Sequence, residues 1–193
     1  MPKRVDHDER KRHIAGALLR IAEERGLQHA SMREVATAAG VSVRLVQYYF
    51  HTKDELLLAS LGYLAEQLGD RMKSRLTATM EPRAFVTELL LAVLPADAES
   101  VRITRTFAAF YSLALAEPHL SEQGMNYPDG LERVVASQLR TAGIAEPVLS
   151  AAGLLALTNG LGSSVLSGQR DAASATEVLR HHLDLVFDRA AVS

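Results

Sequence analysis

The stretch SMREVATAAGVSVRLVQYYFHTK, Ser31–Lys53, decides how the rest of the chain is read. Ser31 precedes an apolar-periodic run and Glu34 follows three residues later, a capping box that starts a helix at about residue 32. Val35, Ala36 and Ala39 give that helix one small apolar face. Gly40 stops it, because glycine takes the left-handed conformation without a Cβ clash. Val41 can then turn inward and Ser42 caps a second helix. In that helix Val46 and Phe50 lie four apart and share a buried face. Arg44, Gln47 and Tyr48 share the opposite face, with Leu45 beside them. Arginine suits guanine and glutamine suits adenine in a major groove. Ala38, Ala39 and Gly40 let the two helices meet closely at a steep angle. Capping and spacing alone leave two readings open: a helix-turn-helix that enters DNA, or an ordinary helical hairpin with a polar surface.

Outward from this stretch, residues 9–25 read as a first helix that braces it, with Ile14, Ala17, Leu18 and Ile21 as its stripe and Gly26 as its end. Residues 1–8 read as a mobile polar tail in which Lys3 and Arg4 are within reach of a phosphate. Thr52 and Glu55 form a second capping box and start a long helix at Lys53. Leu57, Leu61, Leu64, Leu68, Met72 and Leu76 form its stripe. Further helices are expected from Pro82 to Pro95, from about Ala98 to Ala116, and over 119–143, the last kinked or interrupted at 127–130 because proline lacks the N–H. Pro147 and Gly168 bracket the next, in which Gly160, Gly162, Ser163 and Ser164 allow close helix approach. Ser174 and Glu177 cap the final one, to about Arg189. His13 and His29 read as surface residues.

The chain is 193 residues long, long enough for a sizeable core. With no Cys there is no disulfide framework, thiolate metal site or cysteine nucleophile, which fits a reducing cytoplasm. The start of the chain is charged and does not read as a signal peptide. No uninterrupted apolar stretch approaches a membrane span. The net charge of −2 hides an asymmetry. Residues 1–53 carry ten Lys and Arg against six Asp and Glu, a balance of +4, which leaves −6 for residues 54–193. A basic end on an acidic body orients the chain toward phosphate.

Gly40-Val41-Ser42, then Tyr48-Tyr49-Phe50, then Thr52 to Leu57, resemble the DNA-binding domain of the tetracycline-repressor (TetR) family of bacterial regulators. The likeness covers about residues 9–57; beyond it the resemblance is one of helical architecture. It implies an all-α protein: a three-helix helix-turn-helix domain over residues 1–52, followed by a six-helix ligand-binding and dimerisation domain over 53–193. By position it implies DNA contacts from Arg33, Ser42, Arg44, Leu45, Gln47, Tyr48, Tyr49 and Lys53, with Tyr49 and Lys53 on phosphate. Many members have glycine at the position of Arg44 and tyrosine at that of Gln47, so the operator cannot be borrowed from a relative. The expected function is a cytoplasmic, ligand-responsive regulator, a repressor in most of the family. It would dimerise through its last two helices on a near-palindromic double-stranded operator, with no cofactor, metal or membrane, and a small-molecule effector would release it. The effector-binding candidates are Leu64, Arg105, Phe107, Phe110, Tyr111, Tyr127 and Asn159, though the aromatics among them equally suit plain core filling. The alternative is an all-helical ligand-binding or interaction module whose helix-turn-helix is unused.

Nothing argues for an enzyme. The run from Asn159 to Ser164 lacks the GK[ST] ending and the preceding strand of a phosphate loop. His181 and His182 are adjacent on a helix and do not make the i, i+4 pair of a helical metal site.

Overall fold

The computed structural model is helical and describes residues 3–122 and 128–190, with side chains over 7–120 and 130–188. The order is α1 (Lys3–Arg25), a 3-10 turn (Leu27–His29), α2 (Met32–Ala39), α3 (Val43–Tyr49), α4 (Lys53–Arg75), α5 (Pro82–Val93), α6 (Ala98–Ala116), α7 (Pro118–Glu122), α8 (Pro128–Thr141), α9 (Pro147–Leu166) and α10 (Ala172–Ala190).

The expected helices are present, with four corrections. α1 begins at Lys3, so residues 3–8 extend the first helix and are not a tail. The segment expected as one interrupted helix is two, α7 and α8, and Pro128 opens the second, where its missing N–H costs nothing. Among the described residues this makes seven helices after α3 where six were expected. α10 starts at Ala172, because Asp171 and not Ser174 caps it: the Ser174 N–H donates to Asp171 Oδ1 at 2.7 Å. Finally, α9 is long and apolar enough to cross a membrane, with a mean hydropathy of 1.4 and only 33% of that window buried. The expectation that no stretch approaches a span fails there.

The chain divides into two compact units, Met1–Gln67 with Arg105–Met125, and Leu68–Thr104 with Asn126–Ser193. In the first, α1 packs on the 3-10 turn and on α2, and α2 packs on α3. Ile14, Leu18, Val35, Val46 and Phe50 are buried there. In the second, α5 packs against α8, α9 and α10, and α9 packs against both α8 and α10. Its core includes Val86, Leu90, Leu139, Leu154, Leu179 and Leu183.

One polar cluster ties the second unit together. The Arg71 side chain, 9% exposed, donates from Nε to the Ala92 carbonyl at 3.2 Å, from Nη1 to Glu99 at 2.8 Å, and from Nη2 to Asp97. Asp97 also accepts the Ser100 N–H at 2.8 Å, at the start of α6. That N–H, with Arg71, holds the Asp97 carboxyl down at about 2. A buried guanidinium satisfied from three elements fixes the end of α5 against α4 and the start of α6.

Candidate nucleic-acid interface

The local chemistry of α2 and α3 sets their geometry. The Ser31 hydroxyl accepts the Glu34 N–H at 3.2 Å, which caps α2. The Glu34 carboxylate does not return to Ser31; it pairs with Arg25 at 3.3 Å, so only half of the expected capping box forms. Gly40 sits at φ 64, ψ 32, the left-handed conformation that its sequence position predicts. The Gly40 N–H donates to Thr37 and the Val41 N–H to Ala36, a double closure of the helix end. Ser42 then caps α3, accepting the Leu45 N–H at 3.1 Å.

α1 braces this turn at three places. His13 Nε2 lies 2.8 Å from the Ala39 carbonyl, Arg20 Nη2 donates to the Ala38 carbonyl at 3.1 Å, and Arg25 pairs with Glu34. The first two meet the last carbonyls of α2, which have no partner within the helix. His13 is exposed, as expected, and it also serves as a strut. His13 and Arg20 lie seven apart, two turns of one helix face, and that spacing was the available signal.

With α3 held on Val46 and Phe50, both buried, the rest of the helix faces water. Arg44 and Gln47 are exposed, Tyr48 is 64% exposed, and Leu45 and Tyr49 are half-buried. Ser42, on the cap, and Arg33, on α2, are exposed. Among the described residues the side chains of Arg33, Arg44, Gln47 and Lys53 have no hydrogen-bond or ion-pair partner. Lys53 is the first residue of α4 and is exposed. The two carboxylates that follow it are engaged elsewhere. Asp54 lies 3.1 Å from His119 Nε2. Glu55 accepts the His51 N–H at 2.8 Å and lies 3.2 Å from His51 Nδ1. The His51 N–H, foremost, holds the Glu55 carboxyl below the usual range. Here too the capping box is half-formed: Thr52 caps the Glu55 N–H, but the glutamate reaches His51 instead of Thr52. Among the described residues the arrangement leaves guanidinium, amide and ammonium groups unpaired on one short stretch of chain, beside the exposed Tyr48 ring.

Residues 14–60 match the family "Bacterial regulatory proteins, tetR family", and residues 82–188 match "BetI-type transcriptional repressor, C-terminal". The chain belongs to the TetR family. It is similar to the HTH-type transcriptional regulator BetI of Serratia proteamaculans, 31% identical over 166 residues, 83% of each chain. The likeness to the regulator PksA of Bacillus subtilis is 36% identity over 114 residues, and spans only 59% of this chain and 56% of that one. Among solved structures, a Rhodococcus transcriptional regulator is 31% identical with a TM-score of 0.78 over 93% of this chain and 95% of its own. A putative regulator from Saccharomonospora viridis, solved in complex with choline, has a TM-score of 0.75 at 22% identity over 92% and 94%.

This TetR-family chain is therefore a helix-turn-helix transcriptional regulator of the BetI repressor type and not an enzyme. The described residues hold no cluster of three or more His, Asp or Glu able to take a metal. His181 and His182 stack edge to face on each other, and His182 Nδ1 lies 2.9 Å from the Val178 carbonyl of its own helix.

The effector candidates are spread through the regulator. Leu64 and Phe110 are buried and Phe107 is half-buried, all in the first unit. Arg105 and Tyr111 belong to the same unit and are exposed, Tyr111 at 68%. Asn159 is exposed on α9, in the second unit, where its carbonyl accepts the Ser163 hydroxyl. Tyr127 lies outside the described residues. A surface cleft of about 150 Å³ between α1 and α4 is lined by Lys11, Arg12, Ala15, Tyr63 and Glu66 among others, and by none of the effector candidates.

Proposed function

We propose that this regulator binds a near-palindromic operator as a homodimer, with one α3 entering a major groove at each half-site, and that a small organic effector releases it. The observation that carries the reading is the two-sidedness of α3: Val46 and Phe50 are buried while Arg44, Gln47 and Tyr48 stand in water. Arg44 and Gln47 read base edges, Tyr48 and Leu45 fill the groove, and Tyr49, Lys53, Arg33 and Ser42 hold the backbone. Residues 1–52, with Lys53 at the start of α4, do the DNA work; the rest of the chain binds effector and partner subunit, in the cytoplasm.

The second copy docks through α9 and α10. Supporting this, α9 carries no charged side chain, and Val148 and Leu149 on α9 and Leu185 on α10 are exposed. Two-fold symmetry makes such a face self-complementary and places half-sites about one helical turn or a little more apart. The effector is a largely apolar molecule with one polar or cationic group, held in the first unit among Leu64, Phe107, Phe110 and Tyr111. The choline held by the Saccharomonospora structure, together with the −6 balance of residues 54–193, favours an organic cation. It acts by preferring a conformation whose two α3 helices no longer match the half-site spacing, a coupling of about 1–3 kcal/mol.

The test is selection of binding sites from a random duplex pool at moderate salt, repeated with choline added. Enrichment of an inverted repeat that choline abolishes is the expected result. No enrichment from folded dimer, with or without choline, sinks the operator reading in favour of a module with an unused helix-turn-helix.

A further inference from the structure

We propose that His7 is a positioning residue for DNA recognition: from α1 it packs its ring against Tyr49 and Tyr48 and fixes both phenols as α3 presents them. The inference rests on the reading of α3 as the recognition helix.

The three rings form one cluster drawn from two helices. The His7 and Tyr49 centroids are 5.3 Å apart, edge to face at 66°. His7 and Tyr48 are 6.3 Å apart, tilted at 43°. Tyr48 and Tyr49 are 5.2 Å apart, edge to face at 86°. These are the separations and angles at which ring quadrupoles attract. Tyr48 is 64% exposed, so no core wall sets its rotamer. Left alone, such a side chain samples several orientations and loses that freedom on docking, which weakens binding. A third ring, brought from 41 residues away in the chain, reduces that loss in advance.

The base on which His7 stands is firm. His13, six residues further along α1, is bound to the Ala39 carbonyl, and Arg20 to that of Ala38. The same helix that braces the end of α2 therefore also braces the outer face of α3. His7 is itself exposed, so replacing it leaves the three-helix core intact.

The experiment measures affinity for the selected operator duplex and for a random-sequence duplex with His7→Ala, His7→Phe and Arg44→Ala. It also compares His7→Ala in the native background and in one carrying Tyr48→Ala with Tyr49→Ala. Ring proton shifts of Tyr48 and Tyr49 in the free protein report whether the cluster is formed. The expected result is a roughly 3- to 10-fold loss for His7→Ala. His7→Phe should retain affinity within about twofold, and His7→Ala should have no further effect once both tyrosines are gone. The tyrosine shifts should move with His7→Ala. An undiminished loss in the double-tyrosine background, or failure of phenylalanine to rescue, would show His7 acting on the duplex itself and overturn the positioning role, as would no loss at all. Failure of the underlying reading shows separately: Arg44→Ala would then leave operator preference unchanged, and the inference falls with it.

Discussion

α3 and α9 both leave much of their surface uncovered, and they leave opposite chemistry there. α3 turns Arg44, Gln47 and Tyr48 to solvent, groups that water satisfies fully until something better arrives. α9 turns out Val148 at 51% and Leu149 at 69% exposure, on a helix without a single charge. Apolar surface left wet costs about 25 cal/mol per Å² relative to the same surface covered. The first face can wait for a polar partner and bind it reversibly, with salt controlling the affinity. The second calls for permanent cover, which a phosphate backbone cannot supply. The proposed function thus gives one chain a transient interface and a lasting one, distinguished by which side chains the fold leaves exposed.

The largest effect should come from the inner side of α3. Phe50 is 3% exposed, and its replacement by alanine should cost about 3–5 kcal/mol of unfolding free energy in a urea titration. Tyr48→Ala, two positions before it, should change stability by less than about 0.5 kcal/mol and yet weaken operator binding. If both changes destabilised alike, the helix would not be two-sided and the contrast with α9 would collapse.

Next in size is the lasting interface. Leu149→Asp places an unpaired carboxylate where a second copy is expected to pack, twice by symmetry. The dimer dissociation constant should rise by roughly a hundredfold or more, about 2.7 kcal/mol. Sedimentation shows this directly, and far-UV circular dichroism should be unchanged. A Leu149→Asp protein that sediments as the wild-type dimer would remove α9 from the interface.

A smaller pair of effects sharpens what the polar face does. Arg44→Ala should weaken the preferred operator by about 1–3 kcal/mol and relax preference at one base position, leaving random DNA nearly untouched. Lys53→Ala should weaken all duplexes alike and reduce the salt slope by about one. Equal losses on operator and random duplex from Arg44→Ala would move that residue from base to backbone.

Legibility in the sequence followed the range of the forces involved. Gly40 and Ser42 act within four residues, and the turn, its left-handed glycine and the burial of Val46 and Phe50 are all as their spacing predicts. The start of α1 was hidden because residues 3–12 are almost wholly charged and show no apolar period, although helix propensity and packing carry the helix through them. The start of α10 was misread because Asp171 and Ser174 each offer a plausible cap three residues apart, and only the observed N–H···Oδ1 bond decides between them. Both capping boxes are half-formed for one physical reason: Glu34 and Glu55 have a better partner, Arg25 and His51, than the cap residue's own N–H. The ring cluster joins His7 to Tyr48 and Tyr49, 41 and 42 residues on, and has no local signature. The same holds for Arg71, whose partners Asp97 and Glu99 lie 26 and 28 residues on.

That Arg71 cluster supplies the smallest predicted effect, and it sets the body of the molecule against its DNA-facing end once more. Glu55, beside the proposed phosphate contact, and Asp97, in the second unit, are both held below their ordinary values by backbone N–H groups. Asp97 falls from 3.8 to about 2. Its contribution to stability is fully present above 3.8, where the carboxylate is charged in both states, and is lost as pH falls through about 2. Because the side chain is 45% exposed, solvent screening keeps the contribution below about 1 kcal/mol. Asp97→Asn should therefore lower the melting temperature by a few degrees at neutral pH, with little difference left from wild type near pH 2. Arg71 would still hold Glu99 and the Ala92 carbonyl. Operator affinity at neutral pH should not change, because this carboxylate stiffens the body and touches no phosphate. A pH-independent deficit in Asp97→Asn would assign its role to the Ser100 cap, which an amide oxygen also serves poorly, and would remove charge from the account.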